Sequence, residues 1–186
     1  DSNVKIAGAH AGVSVGPDGA THQATEDMAI MRAMPNMRVF CPCDAVESRK
    51  ATVAAAKLWG PVYLRFGREK TPVFTSSDTP FVPGKSEIFW KSKKPQAAII
   101  GCGPLLYNCL LAAKELEREK IGTIVVNNHT LKPIDEKKLI EAAKQSGAIV
   151  TVEEHQLMGG MGSAVAEALV KVKASSLFKI TTLVLF

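Results

Sequence analysis

Short apolar runs alternate with helix-length amphipathic segments along nearly the whole chain, and that alternation leaves few folds open. Residues 4–9, 37–41, 62–66, 96–101, 123–126, 148–152 and 181–186 are strand-sized and apolar. Between them lie segments with helical spacing. One is TEDMAIMRAM from Thr25, one follows Asp44, one carries Leu105, Cys109, Ala112, Ala113 and Leu116, one spans 135–146, and one starts at Ser163. Strands that alternate with helices across short links pair in parallel, because each helix carries the chain back over the sheet. Residues 70–85 break the rhythm with Pro72, Pro80 and Pro83 and no sustained period. The predicted fold is therefore α/β, with two doubly wound units on parallel or mostly parallel sheets. The first, 1–69, is incomplete; 70–85 is a linker; 86–186 is the second unit.

Local signals sharpen the helices. Thr25 is expected to cap the first, with Glu26 and Asp27 in its opening turn and Pro35 as its stop. Asp44 and Glu47 have the spacing of a capping box, and Val46, Val53, Ala54 and Leu58 supply the expected apolar stripe. Gly147 fits a left-handed C-cap, and Ser163 is expected to cap a helix carrying Val165, Ala168, Leu169 and Val172.

Composition excludes several classes of partner. Apolar residues make up 46% of the chain, ample for a core. The net charge of +5 is scattered, its densest cluster being Lys91, Lys93 and Lys94, and few aromatics interleave it. No nucleic-acid surface is predicted, whereas small anionic substrates suit the charge. The longest apolar region, 97–113, is broken by Gly101, Gly103, Pro104 and Asn108, so no membrane span is expected, and no signal peptide is recognisable. Cys41-Pro42-Cys43 lacks the spacing of a metal or redox pair, and Cys102 and Cys109 fall on apolar positions and read as reduced core thiols, which points to a cytoplasmic setting. A start at Asp1, directly before a strand, reads as a piece of something longer.

Chemistry concentrates in residues 10–23, HAGVSVGPDGATHQ, a glycine-rich loop between a strand and a helix. Open α/β sheets place ligands at that carboxyl end. His10 and His22 suit proton transfer near neutral pH, and Asp18 can orient a ring or accept a substrate hydroxyl. The residues alone leave three readings open: a polar binding or acid–base loop, a structural turn, and a metal site, though the spacing matches no zinc signature. Arg65 and Arg68, ending a strand on the same side, could grip a phosphate or form a surface pair with Glu69. Gly101-Cys102-Gly103 lacks the third glycine of a nucleotide loop. Gly159-Gly160-Met161-Gly162-Ser163 could bind an anion or pack tightly, and Glu153, Glu154 and His155 could be catalytic or a hydrogen-bond network.

The segment HAGVSVGPDGATHQATEDMAIMRAMPNMRVFCPCDAVE resembles the pyrimidine-binding domain of transketolases. LKPID at 131–135 and VEEHQLMGGMGSAVAEAL at 152–169 resemble the transketolase C-terminal domain, most of all in split transketolases of archaea and bacteria. The resemblance implies a thiamine diphosphate enzyme of the pentose phosphate pathway that moves a two-carbon ketol unit from a ketose phosphate to an aldose phosphate. It implies that His10 contacts the donor's carbonyl-end oxygens and His22 lies near the sugar phosphate, both as catalytic residues. Asp18 would then contact a substrate hydroxyl and Arg68 the phosphate, with Arg65 as a neighbouring substrate-binding residue.

The family's catalytic glutamate, its ring-stacking aromatic and its GDG metal segment would all lie outside this chain, and Pro17-Asp18-Gly19 is not that motif. Mg2+ or Ca2+ would thus be held mainly elsewhere, and a diphosphate-binding domain or subunit is the implied partner. A homo-oligomer, such as a dimer, or a heterotetramer is implied, with residues 27–34 and 39–43 expected near an interface. Alone, the chain is not expected to turn over substrate. Two alternatives remain: a fragment of 1-deoxyxylulose-5-phosphate synthase, which has a similar ATHQ loop, and a non-catalytic assembly module. GVSVG at 12–16 and HTLKP at 129–133 favour transketolase. The whole reading expects His10, His22, Asp18 and Arg68 to converge on one hollow.

Overall fold

A computed structural model describes residues 2–170 and 179–184. Its first unit runs β1 (Lys5–Gly8), α1 (Asp27–Ala33), β2 (Arg38–Phe40), α2 (Ala45–Lys57) and β3 (Val62–Arg65). The second runs β4 (Glu87–Lys91), β5 (Pro95–Gly101), α3 (Leu106–Arg118), β6 (Gly122–Asn127), β7 (Thr130–Lys132), α4 (Glu136–Ser146), β8 (Ala148–Glu153), α5 (Met161–Val170) and β9 (Lys179–Val184). As expected, β1 and β2 lie parallel to β3, and β6, β5, β8 and β9 are parallel neighbours.

Two strands went unread in the sequence, and both are antiparallel. β4 borders β6 at the edge of a sheet ordered β4-β6-β5-β8-β9. β7 crosses to the other unit and pairs with β2, giving the order β1-β3-β2-β7. The Cys41 amide extends that pairing to the His129 carbonyl at 2.8 Å. One core consequently runs through both units: Val39, Cys41 and Tyr63 join Ile100, Val126, Met161 and Val165 in a single buried cluster.

Several helix signals resolve differently from expectation. Glu26, not Thr25, precedes α1 as its cap, without a side-chain cap bond, and the Thr25 hydroxyl donates to Glu26 instead. Asp44 caps α2 by accepting from the Glu47 amide at 2.9 Å. Glu47, however, reaches past the box to the Cys43 amide and to Asn127 Nδ2 of the second unit, both at 2.7 Å. Burial pushes the Glu47 carboxyl above its ordinary range. The inward face of α2 is Glu47, Ala51 and Ala55, because small side chains bring the helix close to the sheet. Val53 is 48% exposed and, with Val46 and Ala54, lines an outer groove. In α3, Ala112 likewise faces outward. Ser163 sits inside the first turn of α5, accepting from the Gly159 amide. Gly147 (φ 72°) caps the end of α4 as expected, while Asp135, read as the helix's first residue, is instead its N-cap. Val172 and residues 185–186 lie outside the described residues.

The stretch between the units is an ordered strap with no regular structure. Asp44 accepts from the Phe74 and Thr75 amides and the Thr75 hydroxyl, at 2.9, 2.7 and 2.7 Å. Burial raises the Asp44 carboxyl, but these bonds outweigh it and hold the group below its ordinary range. Phe81 stacks on His129 at 4.2 Å between ring centroids and meets Phe40 edge-on at 5.7 Å.

His129 is fully buried, and its Nε2 has no partner. Burial lowers its pKa from 6.5 to about 4. The unfolded chain therefore binds a proton that the folded chain refuses between these values. This part of the stability is complete above pH 6.5 and lost as pH falls towards 4, a loss of up to about 3 kcal/mol. Urea melts of the wild type and His129→Leu across this window are expected to diverge, the wild type falling more steeply. Parallel curves would remove the effect.

Candidate functional site

The glycine-rich loop leaves β1 at His10, whose backbone is left-handed with φ 60°. A non-glycine residue pays about 1–2 kcal/mol there. Two backbone bonds hold the turn: the Ala11 amide to the Phe66 carbonyl at 3.0 Å, and the Gly12 amide to the Ala24 carbonyl at 2.8 Å. The imidazole stays exposed at the carboxyl end of the strand, so strain is stored where a ligand would arrive. Beyond it the loop makes two single 3₁₀ turns, Gly16–Asp18 and Ala20–His22. Gln23 Nε2 closes the loop on the Val13 carbonyl at 3.2 Å.

Asp18 and Arg68 meet. Arg68 Nη1 lies 2.6 Å from Asp18 Oδ2 and donates to the Val15 carbonyl at 2.8 Å. Both side chains are about a third exposed, at 34% and 33%, so the Arg68 edge carrying Nε and Nη2 can still receive an anion. His22 is exposed and bonds only its neighbour Thr21. His10 and His22 share the loop with Asp18. A cleft of about 450 Å³ beside Arg68 is also lined by Ser48, Lys70, Thr71 and Pro104; the other three site side chains do not line it. Of the four side chains expected to converge, Asp18 and Arg68 are in direct contact.

Arg65 takes a place other than the one expected of a substrate-binding residue. It is only 4% exposed and grips Asp27 through Nε at 2.8 Å and Nη2 at 3.1 Å. Nη2 also donates to the carbonyls of Ala24 and Glu154. Strand register turns Arg65 inward, opposite Gly8, while Arg68 lies beyond the strand end. Asp27 further accepts from the Tyr63 hydroxyl at 2.8 Å. Burial, reinforced by that carboxylate, pushes the Tyr63 phenol up. Gly8 makes room for it: a Cβ there would sit 2.1 Å from the Tyr63 oxygen.

The segment after β8 is a hydrogen-bond network. Glu153 accepts from the amides of Met161 and Gly162 at 2.5 and 2.7 Å, so the glycine-rich start of α5 holds an internal carboxylate. Burial nevertheless raises the Glu153 carboxyl. Glu154 accepts from the Ser14 hydroxyl at 2.9 Å, and His155 Nε2 from the Ala29 amide at 3.3 Å. The Gln156 amide reaches the Thr25 carbonyl at 3.0 Å. Asp27, Tyr63, Glu47 and Asn127 went unread as parts of these ties, because each partner is distant in sequence.

All four cysteines are free and buried, and burial pushes the Cys109 thiol up to about 12. Among the described residues, no group of three or more His, Cys, Asp or Glu side chains is placed to hold a metal ion. No helix there is long and apolar enough to cross a membrane. Of the segments expected near an interface, Phe40, Cys41 and Cys43 are buried inside the fold, whereas Ile30 of α1 and Met34 just after it are exposed to solvent, 52% and 42%.

Comparison with known proteins follows the same division. The model of the transketolase pyrimidine binding domain matches residues 1–73, and that of the transketolase C-terminal domain residues 85–184. Transketolase of Rattus norvegicus is 39% identical over 171 residues, and that of Homo sapiens 38%; each alignment covers 91% of this chain and 27% of the relative. A solved structure described as a split gene transketolase, inactive β4 tetramer, superposes with a TM-score of 0.87 at 43% identity, covering 98% of this chain and 57% of that one. Transketolase of Campylobacter jejuni shares the fold, with a TM-score of 0.75 at 24% identity, over 98% of this chain and 27% of that one.

Proposed function

This chain belongs to the transketolase family, and we propose that it is the sugar-binding part of an enzyme moving a two-carbon ketol unit from a ketose phosphate to an aldose phosphate. The observation that carries this reading is the Asp18–Arg68 pair, its carboxylate on the same glycine-rich loop as the strained, exposed His10. Arg68 keeps a planar pair of donors for a phosphate, while its bonds to Asp18 and Val15 fix the plane. Asp18 accepts a sugar hydroxyl on its remaining lone pairs. His10 hydrogen-bonds the oxygens at the donor's carbonyl end and passes protons to and from them. His22 lies at the phosphate end. Arg65 positions the loop from beneath.

The family's cofactor is thiamine diphosphate with Mg2+ or Ca2+. The described residues do not fit the metal–diphosphate end, since they gather no metal-binding group. Its grip belongs to a diphosphate-binding domain or subunit. Assembly into a homo-oligomer or heterotetramer follows, and the likeness to a split-gene transketolase tetramer supports it. The exposed Ile30 and Met34 are the surface offered for it. A cytoplasmic place in the pentose phosphate pathway, and a division at 1–69, 70–85 and 86–186, complete the reading.

Reconstitution tests it. The chain, a diphosphate-bearing subunit, thiamine diphosphate and Mg2+ are expected to transfer a ketol unit from xylulose-5-phosphate to ribose-5-phosphate, with neither polypeptide active alone. Product from pyruvate and glyceraldehyde-3-phosphate, without ketol transfer, would replace this reading with the synthase. A complex inert to both would make the chain an assembly module.

A further inference from the structure

We propose that Glu154 of the second unit is a positioning residue of the sugar site, setting the seat of the loop that carries His10 and Asp18. The inference rests on the sugar-binding reading above. Glu154 Oε2 accepts the Ser14 hydroxyl at 2.9 Å and, at longer range, the Ser14 amide at 3.4 Å. The loop folds down onto this carboxylate: a Cβ on Gly12, where φ is +90°, would sit 1.9 Å from Oε2. Only glycine lets the backbone come so near. The residue after Ser14 is Val15, fully buried, and its carbonyl holds Arg68 Nη1. A path of direct contacts thus runs from Glu154 through Ser14 and Val15 to Arg68 and Asp18.

The anchor itself is buried and tied down. Glu154 is 8% exposed, and its carbonyl is tied to Arg65. Its neighbours Glu153 and His155 are fully buried and bonded to α5 and α1. The second unit therefore acts on sugar binding without touching sugar. Placement of binding groups is steeply distance-dependent, so a loop released by a fraction of an ångström weakens the phosphate grip before it touches bond cleavage.

The test uses the reconstituted complex with thiamine diphosphate and Mg2+. Glu154→Ala and Ser14→Ala are each expected to raise KM for ribose-5-phosphate about tenfold, with kcat changed less than about threefold. The double variant is expected to match either single one, since both remove the same bond. Glu154→Gln, which keeps an acceptor oxygen, should retain most of the wild-type KM, and a short aldehyde without phosphate should show a smaller KM rise than ribose-5-phosphate in both alanine variants. Amide exchange of residues 11–23 in the chain alone should quicken in both alanine variants, whatever the activity. Should Glu154→Ala fail to fold, Ser14→Ala decides alone, because it removes only a loop hydroxyl. Unchanged KM and exchange in Ser14→Ala would overturn the proposal. A wild-type complex that transfers no ketol unit counts against the transferase reading, and the exchange rates still decide the anchor.

Discussion

Replacing Arg65 with methionine is expected to destabilise the chain by about 3–5 kcal/mol, the range for breaking a buried ion pair from one side. The cost comes less from the lost attraction than from what remains. Asp27 would keep its charge at 11% side-chain exposure with the Tyr63 hydroxyl as its remaining side-chain donor. The carbonyls of Ala24 and Glu154 would lose donors as well. Arg65→Lys keeps the charge but not the two-pronged geometry, so it should recover only part of the loss. The double variant Arg65→Met with Asp27→Leu should recover more, since it removes the stranded charge together with its partner. Urea denaturation followed by far-ultraviolet circular dichroism measures all three. A loss below about 1 kcal/mol in Arg65→Met would mean that water reaches Asp27 and that the halves are tied elsewhere.

Arg68→Ala should do the reverse, sparing stability and spoiling substrate binding. Its pair with Asp18 is a third exposed, and exposed pairs contribute about 0–1 kcal/mol. Against a phosphate, two charge-assisted bonds contribute about 1.5–3 kcal/mol each, less the water they displace, so KM for a phosphorylated acceptor should rise about a hundredfold. Steady-state kinetics of the reconstituted complex gives the number. An acceptor without phosphate is the control, because its KM should stay near the wild-type value. Equal losses on both acceptors would show that Arg68 shapes the loop instead of gripping the anion. Raised salt should weaken the wild type's phosphate preference and leave the variant's unchanged.

What the sequence disclosed follows from how local each signal is. The parallel strands and their helices are written in periodicities of a few residues, and Gly147 works within one turn. The site loop was visible because glycines, histidines and an aspartate crowd a strand–helix junction. β7 was invisible because three residues have no period and their partner strand lies in the other unit. The division of labour between Arg65 and Arg68 was hidden for a related reason. Only the register against β1 turns the first inward, and Asp27, its partner, is 38 positions away. Thr25 does not cap α1 because its hydroxyl donates to Glu26, while its carbonyl accepts from the Gln156 amide, a contact that no local rule contains.

The exchange of β7 between sheets carries an evolutionary corollary. The two family modules abut near the strap, yet a gene severed within 70–85 would yield two polypeptides that are incomplete as folding units. The upstream product would bare the outer edge of β2, an open template for amyloid-like stacking, and the downstream product would trail an orphaned ribbon. Separation of the two modules within the strap is thus penalised by an exposed strand edge, so keeping them on one chain is a demand of solubility as much as of packing.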